Sequence, residues 1–270
     1  MPADPRAVES LLAFWVEAGV DVCYADAPVD RMAAGLEALK PRAAPAPPVQ
    51  PAAPRPGLLR EMADPGAVEA ARAAAAAAGD LAALAAAIAA FDGCDLKRQG
   101  ARQSVFSRGD PEAPVMIVGE GPGGDEDARG APFVGRAGKL LDKMLAASGL
   151  EGRVFITNTV FWRPPGNRTP TAAEQAVCAP FVERAVALVR PKLLLLAGGA
   201  SAKHMLKTTE GILSLRGRWF EWRSADGGIE LPALPTLHPA FLLRQPAAKK
   251  HAWHDLLTLT ERLDRPARRT

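Results

Sequence analysis

Side chains that could do chemistry concentrate in four short motifs of this 270-residue sequence, each rich in glycine or proline. The first motif, residues 119–135 (GEGPGGDEDARGAPFVG), places Glu120, Glu126 and Asp127 in a glycine-rich loop after an apolar run. Such a carboxylate cluster repels a phosphate but stabilises a developing cation. Cleavage of a glycosidic bond creates that cation, because its transition state resembles an oxocarbenium ion. We therefore expect a loop acid to stabilise this charge or to position water; a solvated acidic loop is the alternative.

The same loop carries the glycine spacing of a dinucleotide-binding fingerprint, at Gly119, Gly121 and Gly124. That fingerprint needs a helix that starts at the loop and an acid about 20 residues further on, at a strand end. Here Pro122 stiffens the loop, no helix is expected to start at once, and Asp142 falls inside a predicted helix. We therefore do not favour a nicotinamide or flavin site.

The second motif, residues 156–171 (ITNTVFWRPPGNRTPT), follows another apolar run. Asn158 ends that run, and its amide offers an acceptor and two donors that can pair with the edge of a base. A cap or a turn is the alternative role for this side chain. Arg163, Asn167 and Arg168 flank prolines, where they could contact phosphates or form an ordinary exposed turn.

The third motif, residues 196–206 (LAGGASAKHML), takes a strand through small residues into a helix. Backbone amides at such a helix start, around Gly199 and Ser201, are able to bind a phosphate. The glycines could equally serve only to let strand and helix pack closely.

The fourth motif, residues 235–246 (PTLHPAFLLRQP), places His238 after a short apolar run, with Leu242, Leu243 and Arg244 before the next proline. Exposed apolar side chains beside an arginine could wedge into a duplex. A structural histidine and a helix start buried in the core are the alternatives.

The elements that must position these motifs alternate between short apolar strands and helices. The predicted strands are residues 115–119, 154–158, 192–198 and 234–239, and the predicted helices include 139–149 and 173–189. Continuous apolar strands separated by helices are typical of a parallel sheet that is covered on both faces. Functional loops of such folds lie beyond the carboxyl ends of the strands.

The sequence before this region differs in composition. Residues 1–40 are expected to be a helical segment, and residues 41–60 a linker rich in proline and alanine, because dense proline favours an extended chain. An alanine-rich helix is predicted to end near Phe91. We expect the catalytic domain to span residues 61–270.

Composition excludes some classes of protein. The net charge of +3 permits nucleic-acid binding without arguing for it. Three scattered cysteines, Cys23, Cys94 and Cys178, argue against a disulfide framework. The N-terminus lacks a signal-peptide core, and no apolar stretch suits a membrane. We expect a monomeric, cytoplasmic protein without a membrane partner.

Taken together and in this order, the four motifs resemble those of the family 4 uracil-DNA glycosylases, from about Gly93 to Leu263. The resemblance implies an α/β fold with three layers, α/β/α, around a central four-stranded parallel sheet. It also implies an enzyme that flips uracil out of DNA and hydrolyses its N-glycosidic bond, with uracil-containing DNA as partner. A DNA-binding protein with weak turnover, or a glycosylase for hypoxanthine or xanthine, remains an alternative.

The resemblance assigns roles to the residues of the motifs. Phe133 would stack on the flipped uracil, Asn158 would bind its edge, and His238 would lie beside the carbonyl O2. Glu120 takes the place of the acid, with Glu126 in reserve, and Gly121 belongs to the base pocket. The residues expected at the DNA are Arg163, Asn167, Arg168, Gly199, Ser201, Leu243 and Arg244.

One departure from the family concerns its [4Fe-4S] cluster, which four cysteines hold. Cys94 and Cys178 match the second and fourth of these, but Phe91 and Trp162 stand in place of the first and third. Two thiolates cannot hold such a cluster in the usual way. We therefore expect a cluster-lacking branch of the family, with no cofactor.

Overall fold

A computed structural model describes residues 63–265 of the chain. All of these belong to the second of the two units into which the chain divides, Pro56–Thr270. The predicted helical segment 1–40 and linker 41–60 lie outside the described residues. No helix within residues 63–265 is long and apolar enough to cross a membrane.

Six strands form one sheet in the order β1-β3-β2-β4-β6-β5. Their bounds are β1 Ser107–Gly109, β2 Val115–Gly119, β3 Val154–Asn158, β4 Leu193–Ala197, β5 Phe220–Arg223 and β6 Glu230–Thr236. The inner four, β3, β2, β4 and β6, are parallel, whereas β1 and β5 pair antiparallel at the two edges. The predicted four-stranded parallel sheet is therefore confirmed as the centre of the sheet, and the two edge strands extend it.

Nine α-helices belong to the described part of the chain. Their bounds are α1 Pro65–Ala77, α2 Leu81–Ala90, α3 Gly124–Arg129, α4 Arg136–Ala147, α5 Ala172–Val189, α6 Gly199–Leu206, α7 Ile212–Leu215, α8 Pro239–Arg244 and α9 Lys249–Asp264. Short 3₁₀ helices cover Asp95–Arg98, Pro165–Asn167 and Pro246–Ala248.

Side chains of the central strands alternate between two hydrophobic clusters, one on each face of the sheet. On β2, Met116 and Val118 belong to one cluster, and Val115 and Ile117 belong to the other. The first cluster includes residues of α1, α2, α5 and α6, and the second includes residues of α4 and α9. This confirms the predicted α/β/α layers, because strands buried on both faces carry apolar residues at every position.

Three boundaries differ from those predicted. The alanine-rich segment is two helices, because Asp80 caps α2 by accepting a hydrogen bond from the Ala83 amide at 2.7 Å. Helix α3 starts at Gly124, within the first motif and shortly after β2 ends at Gly119, where no immediate helix was expected. The last parallel strand begins earlier and ends at Thr236, so that His238 is the N-cap of α8.

The parallel strands bring the chemical motifs to one edge of the sheet. Strand β2 ends at Gly119, β3 at Asn158, β4 at Ala197 and β6 at Thr236. Register pairs Gly119 with Asn158 directly. Residues far apart in sequence therefore meet where these strands end.

Candidate active site

A cavity of about 470 Å³ opens at the carboxyl edge of the sheet. Its lining includes the predicted site residues Glu120, Gly121, Glu126, Phe133, Asn158, Asn167, Arg168, His238 and Arg244. Four other predicted residues are outside that lining, namely Arg163, Gly199, Ser201 and Leu243. Three of the four motifs thus contribute to one cavity.

Phe133 forms one wall of the cavity in an unusual backbone conformation. Its φ of 54° lies in the left-handed region, which bulky residues rarely adopt. A Cβ atom added to Gly119 would lie 2.6 Å from two atoms of the Phe133 ring. The ring therefore rests directly on the backbone at the end of β2, and only glycine leaves room for it there.

Asn158 presents an amide to the same space. The residue is 2% exposed, and within residues 63–265 its side chain has no hydrogen-bond partner. Its Oδ1 points at the position where a Cβ of Gly119 would be. Within residues 63–265 no fully buried side-chain polar atom lacks a partner, so the unpaired amide of Asn158 opens onto the cavity, where a ligand can pair with it.

His238 is held by the chain that follows it. Its Nδ1 accepts a hydrogen bond from the Ala240 amide at 3.1 Å, which leaves the proton of a neutral ring on Nε2. Burial lowers the pKa of His238 to about 4; Arg244 lowers it too, and Glu126 opposes both. Its ring centroid lies 5.5 Å from that of Phe133, with the planes inclined by 31°. The imidazole is therefore a neutral hydrogen-bond donor.

The backbone of Glu120 is fixed by the chain that follows β3. Thr159 donates from its hydroxyl to the Glu120 carbonyl at 2.6 Å and from its amide to the Gly119 carbonyl at 3.0 Å. Within the described residues, the Glu120 carboxylate has no hydrogen-bond partner. This carboxylate lines the cavity and is available to a ligand.

Glu126 has its carboxylate engaged by backbone amides. One oxygen accepts hydrogen bonds from Val134 at 3.0 Å and Gly135 at 2.9 Å, and the other accepts one from Gly123 at 3.1 Å. Glu126 therefore links Gly123, near the start of the first motif, to Val134 and Gly135 at its end. Its reserve catalytic role stays a prediction that this geometry does not favour.

Asp127, the third acid of the loop, points elsewhere. It is buried, and its carboxylate accepts a hydrogen bond from the Arg102 amide at 2.8 Å. Asp127 does not line the cavity. Of the three clustered acids, only Glu120 therefore offers a carboxylate free to act on a ligand.

The arginines of the second motif have protein partners. Arg168 forms two hydrogen bonds with the Glu174 carboxylate, at 2.6 and 2.9 Å. Burial works to raise the pKa of Glu174, but Arg168 and Thr171 outweigh it and hold that pKa below its usual value. Arg163 donates to Asn167 at 2.7 Å. Both arginines already have partners within the protein that stabilise the loop. Their contact with phosphates therefore stays a prediction.

The remaining predicted DNA contacts differ in accessibility. Ser201 is fully buried and donates its hydroxyl to the Val118 carbonyl at 2.6 Å, so its contact with DNA stays a prediction that this burial does not favour. The backbone at Gly199, the first residue of α6, is partly exposed. Leu243 is 38% exposed and Arg244 is exposed, whereas Leu242 is buried in the core. The surface available for a wedge is therefore Leu243 and Arg244.

Sequence reasoning did not anticipate the role of certain glycines in shaping the cavity. At Gly198, where φ is 101°, an added Cβ would lie 2.9 Å from the Cβ of His238. At Gly138 an added Cβ would collide with the carbonyl of Phe133. Glycine at a strand end and early in a helix was the available signal, but the close neighbour was not visible in the sequence.

The fold and the site define an α/β protein with a slot for a flat polar ring beyond the strand ends. The wall is aromatic, an amide and an imidazole N–H face the space, and one carboxylate is free. Residues 106–257 match the family model of the Uracil DNA glycosylase superfamily, over more than half of the chain. The chain belongs to this superfamily.

Individual relatives agree with this assignment. The chain is 38% identical over 173 residues to the Type-4 uracil-DNA glycosylase of Sulfurisphaera tokodaii, covering 62% of this chain and 78% of that protein. Type-4 uracil-DNA glycosylases of Pyrobaculum aerophilum (37% identity, 61% and 85% coverage) and Thermotoga maritima (39% identity, 52% and 71% coverage) are similar to it as well.

The first prediction is that His238 remains neutral well into the acid range. Its pKa of about 4 in the folded protein lies below the unfolded value of about 6.5. Its contribution to stability is therefore fully present above pH 6.5 and is lost as the pH falls towards 4. NMR titration of the imidazole, with the resonance assigned by its loss in His238→Gln, measures this pKa. A midpoint near 6.5 would contradict the burial of the ring.

Proposed function

We propose that the chain is a uracil-DNA glycosylase, which hydrolyses the N-glycosidic bond of uracil flipped out of DNA and leaves an abasic site. The observation that carries this proposal is the meeting of Phe133, Asn158, His238 and Glu120 at one cavity. The relatives described above support it, since each is named a Type-4 uracil-DNA glycosylase.

The cavity can recognise uracil by its shape and its edge. Stacking a base on an aromatic ring such as Phe133 is worth about 1–3 kcal/mol, which offsets the few kcal/mol that flipping costs. Uracil presents an N–H donor beside a carbonyl acceptor, and the amide of Asn158 offers the matching acceptor and donor. Cytosine presents the reverse order. A fixed Asn158 amide therefore favours uracil.

Bond cleavage places negative charge on the departing uracil. The Nε2–H of His238 would donate to O2, and this hydrogen bond strengthens as charge reaches that oxygen. A neutral imidazole suits the task, because its Nε2 already carries a proton to donate and the buried ring does not have to become charged. The Ala240 amide fixes this tautomer, so the chain itself sets the direction of the N–H.

Cleavage also leaves positive charge on the sugar. The free carboxylate of Glu120 would lie near that charge and either stabilise it or hold the attacking water. Thr159 anchors the Glu120 backbone from the neighbouring strand, which limits how far the carboxylate can move. Opposite charges on sugar and base would thus meet a carboxylate and a hydrogen-bond donor held in place before the reaction.

The proposed DNA surface surrounds the mouth of the cavity. Leu243 would fill the gap that the flipped base leaves, and Arg244 would contact the backbone beside it. The loop carrying Arg163, Asn167 and Arg168 and the start of α6 at Gly199 would contribute further phosphate contacts. A monomeric state and a cytoplasmic location stay predictions.

The second prediction tests activity and the role of Glu120. The purified protein should release uracil from a uracil-containing oligonucleotide, measured as strand cleavage after alkali. Glu120→Gln keeps the shape of the side chain but removes its charge, so single-turnover excision should fall at least about a hundredfold while DNA binding changes little. Glu151→Gln, an exposed change outside the cavity lining, is the matched control and should excise normally.

Each outcome of that experiment has a clear meaning. An undiminished rate in Glu120→Gln would remove Glu120 from the mechanism. A parent protein that binds uracil-DNA tightly but does not cleave it would contradict the glycosylase and favour a binding protein on the same fold.

We also propose that the protein works without the iron–sulfur cluster of its family. The Sγ atoms of Cys94 and Cys178 lie 4.0 Å apart, in hydrogen-bonding contact, and both are buried. Phe91 stacks edge-on against Phe181 at 5.2 Å, and Trp162 is 1% exposed in the core. No group of three or more metal-binding side chains occurs within residues 63–265. The residues at this place thus fit apolar packing and do not fit a four-cysteine cluster.

The third prediction follows from that packing. The purified protein should contain no stoichiometric iron, because aromatic side chains pack in the place of two of the cluster's ligands. Metal analysis and the visible absorption spectrum measure this, on protein purified without exposure to air. Stoichiometric iron with visible absorbance would overturn the proposal and would require ligands other than the two buried cysteines.

A further inference from the structure

Arg108 lies on the edge strand β1, outside the lining of the cavity, but it reaches the loop that carries Phe133. Its Nε donates a hydrogen bond to the Pro132 carbonyl at 2.8 Å, and its Nη2 donates one to the Phe133 carbonyl at 3.2 Å. Nη2 also pairs with Asp142 of α4 at 2.6 Å. One guanidinium therefore connects β1, the Phe133 loop and α4.

The backbone of Phe133 needs such support. A non-glycine residue in the left-handed region is strained and persists only where its surroundings enforce it. Gly138 allows α4 to approach the Phe133 carbonyl closely, so that the loop has little space on that side. If the loop relaxed, the Phe133 ring would move away from the backbone of Gly119, and the cavity would lose its aromatic wall.

Three charged groups hold this loop by its backbone, and one of them, Arg129, donates a hydrogen bond to the Val134 carbonyl at 3.2 Å. Glu126 accepts hydrogen bonds from the amides of Val134 and Gly135, while Arg108 donates to the carbonyls of Pro132 and Phe133. Each charged hydrogen bond is stronger than its neutral equivalent, and the planar guanidinium fixes the direction of its donors. The loop is thus restrained on both sides of the strained residue.

We propose that Arg108 is a positioning residue that fixes Phe133 for stacking on the flipped base without touching the base itself. The inference rests on the proposed glycosylase function for its activity readout. Arg108 is well placed for this task, because its side chain is only 28% exposed and Asp142 orients it. Its effect on catalysis should pass entirely through the ring of Phe133.

The fourth prediction is a double-mutant cycle that tests this dependence. Arg108→Met keeps an unbranched apolar stem and removes the donors. In the parent protein it should lower the affinity for uracil-DNA and the single-turnover rate together by about tenfold, within the range of coupling between contacting residues. In a Phe133→Ala background, the same Arg108→Met change should cost less than about twofold, because no ring is left to position.

Arg153→Met is the matched control for this cycle. Arg153 also bridges a carboxylate, Asp264 at 2.6 Å, and a backbone carbonyl, Gly149 at 3.4 Å, and its side chain is 38% exposed. It directly precedes β3 and so lies at the amino ends of the parallel strands, whereas the cavity lies at their carboxyl ends. Arg153→Met should leave excision unchanged in both backgrounds.

A second measurement separates failure of this inference from failure of the proposed function. Hydrogen exchange of the amides of residues 133–135 should accelerate about tenfold or more in Arg108→Met and remain at the parental rate in Arg153→Met. An inactive parent protein would overturn the proposed glycosylase function. Hydrogen exchange would still test whether Arg108 restrains the Phe133 loop. Unchanged exchange, or an equal tenfold loss of excision in the Phe133→Ala background, would overturn the role of Arg108.

Discussion

The contact between the Phe133 ring and the backbone of Gly119 is the constraint on which the site depends. Gly119 ends a central strand and pairs with Asn158 of β3, so the sheet fixes its position. The same glycine lies beside the amide of Asn158 through the register of β2 and β3. Because the Phe133 ring and the Asn158 amide both lie against Gly119, their separation is set before any ligand arrives.

A rigid arrangement of this kind suits discrimination between bases of nearly equal size. Asn158 has no protein partner among the described residues, so a base that offers no matching edge would leave a buried amide unpaired. His238 adds a donor whose tautomer is fixed by the first turn of its own helix. The cost of holding Phe133 in a strained conformation is offset by the hydrogen bonds that Arg108 and Glu126 form with the backbone of its loop.

The sequence predicted those parts of the molecule that depend on local pattern. The four parallel strands carry continuous apolar runs, and Asn158 and His238 follow such runs, so their placement at one edge could be inferred. The edge strands could not, because Ser107–Gly109 is short and becomes a strand only by pairing with β3. The link from Arg108 to Phe133 spans 25 residues and a loop, which no local pattern encodes. Likewise, the burial of Ser201 follows from packing against β2 and not from its motif.

The central claim is that Phe133, Asn158 and His238 together form a preformed uracil site. A crystal structure of the protein with free uracil bound tests it most directly. The account predicts uracil stacked on the Phe133 ring, with the Asn158 amide and His238 Nε2 within hydrogen-bond distance of its polar edges and little movement of the loop. Uracil bound elsewhere, or a Phe133 ring displaced from Gly119 in the complex, would contradict the account.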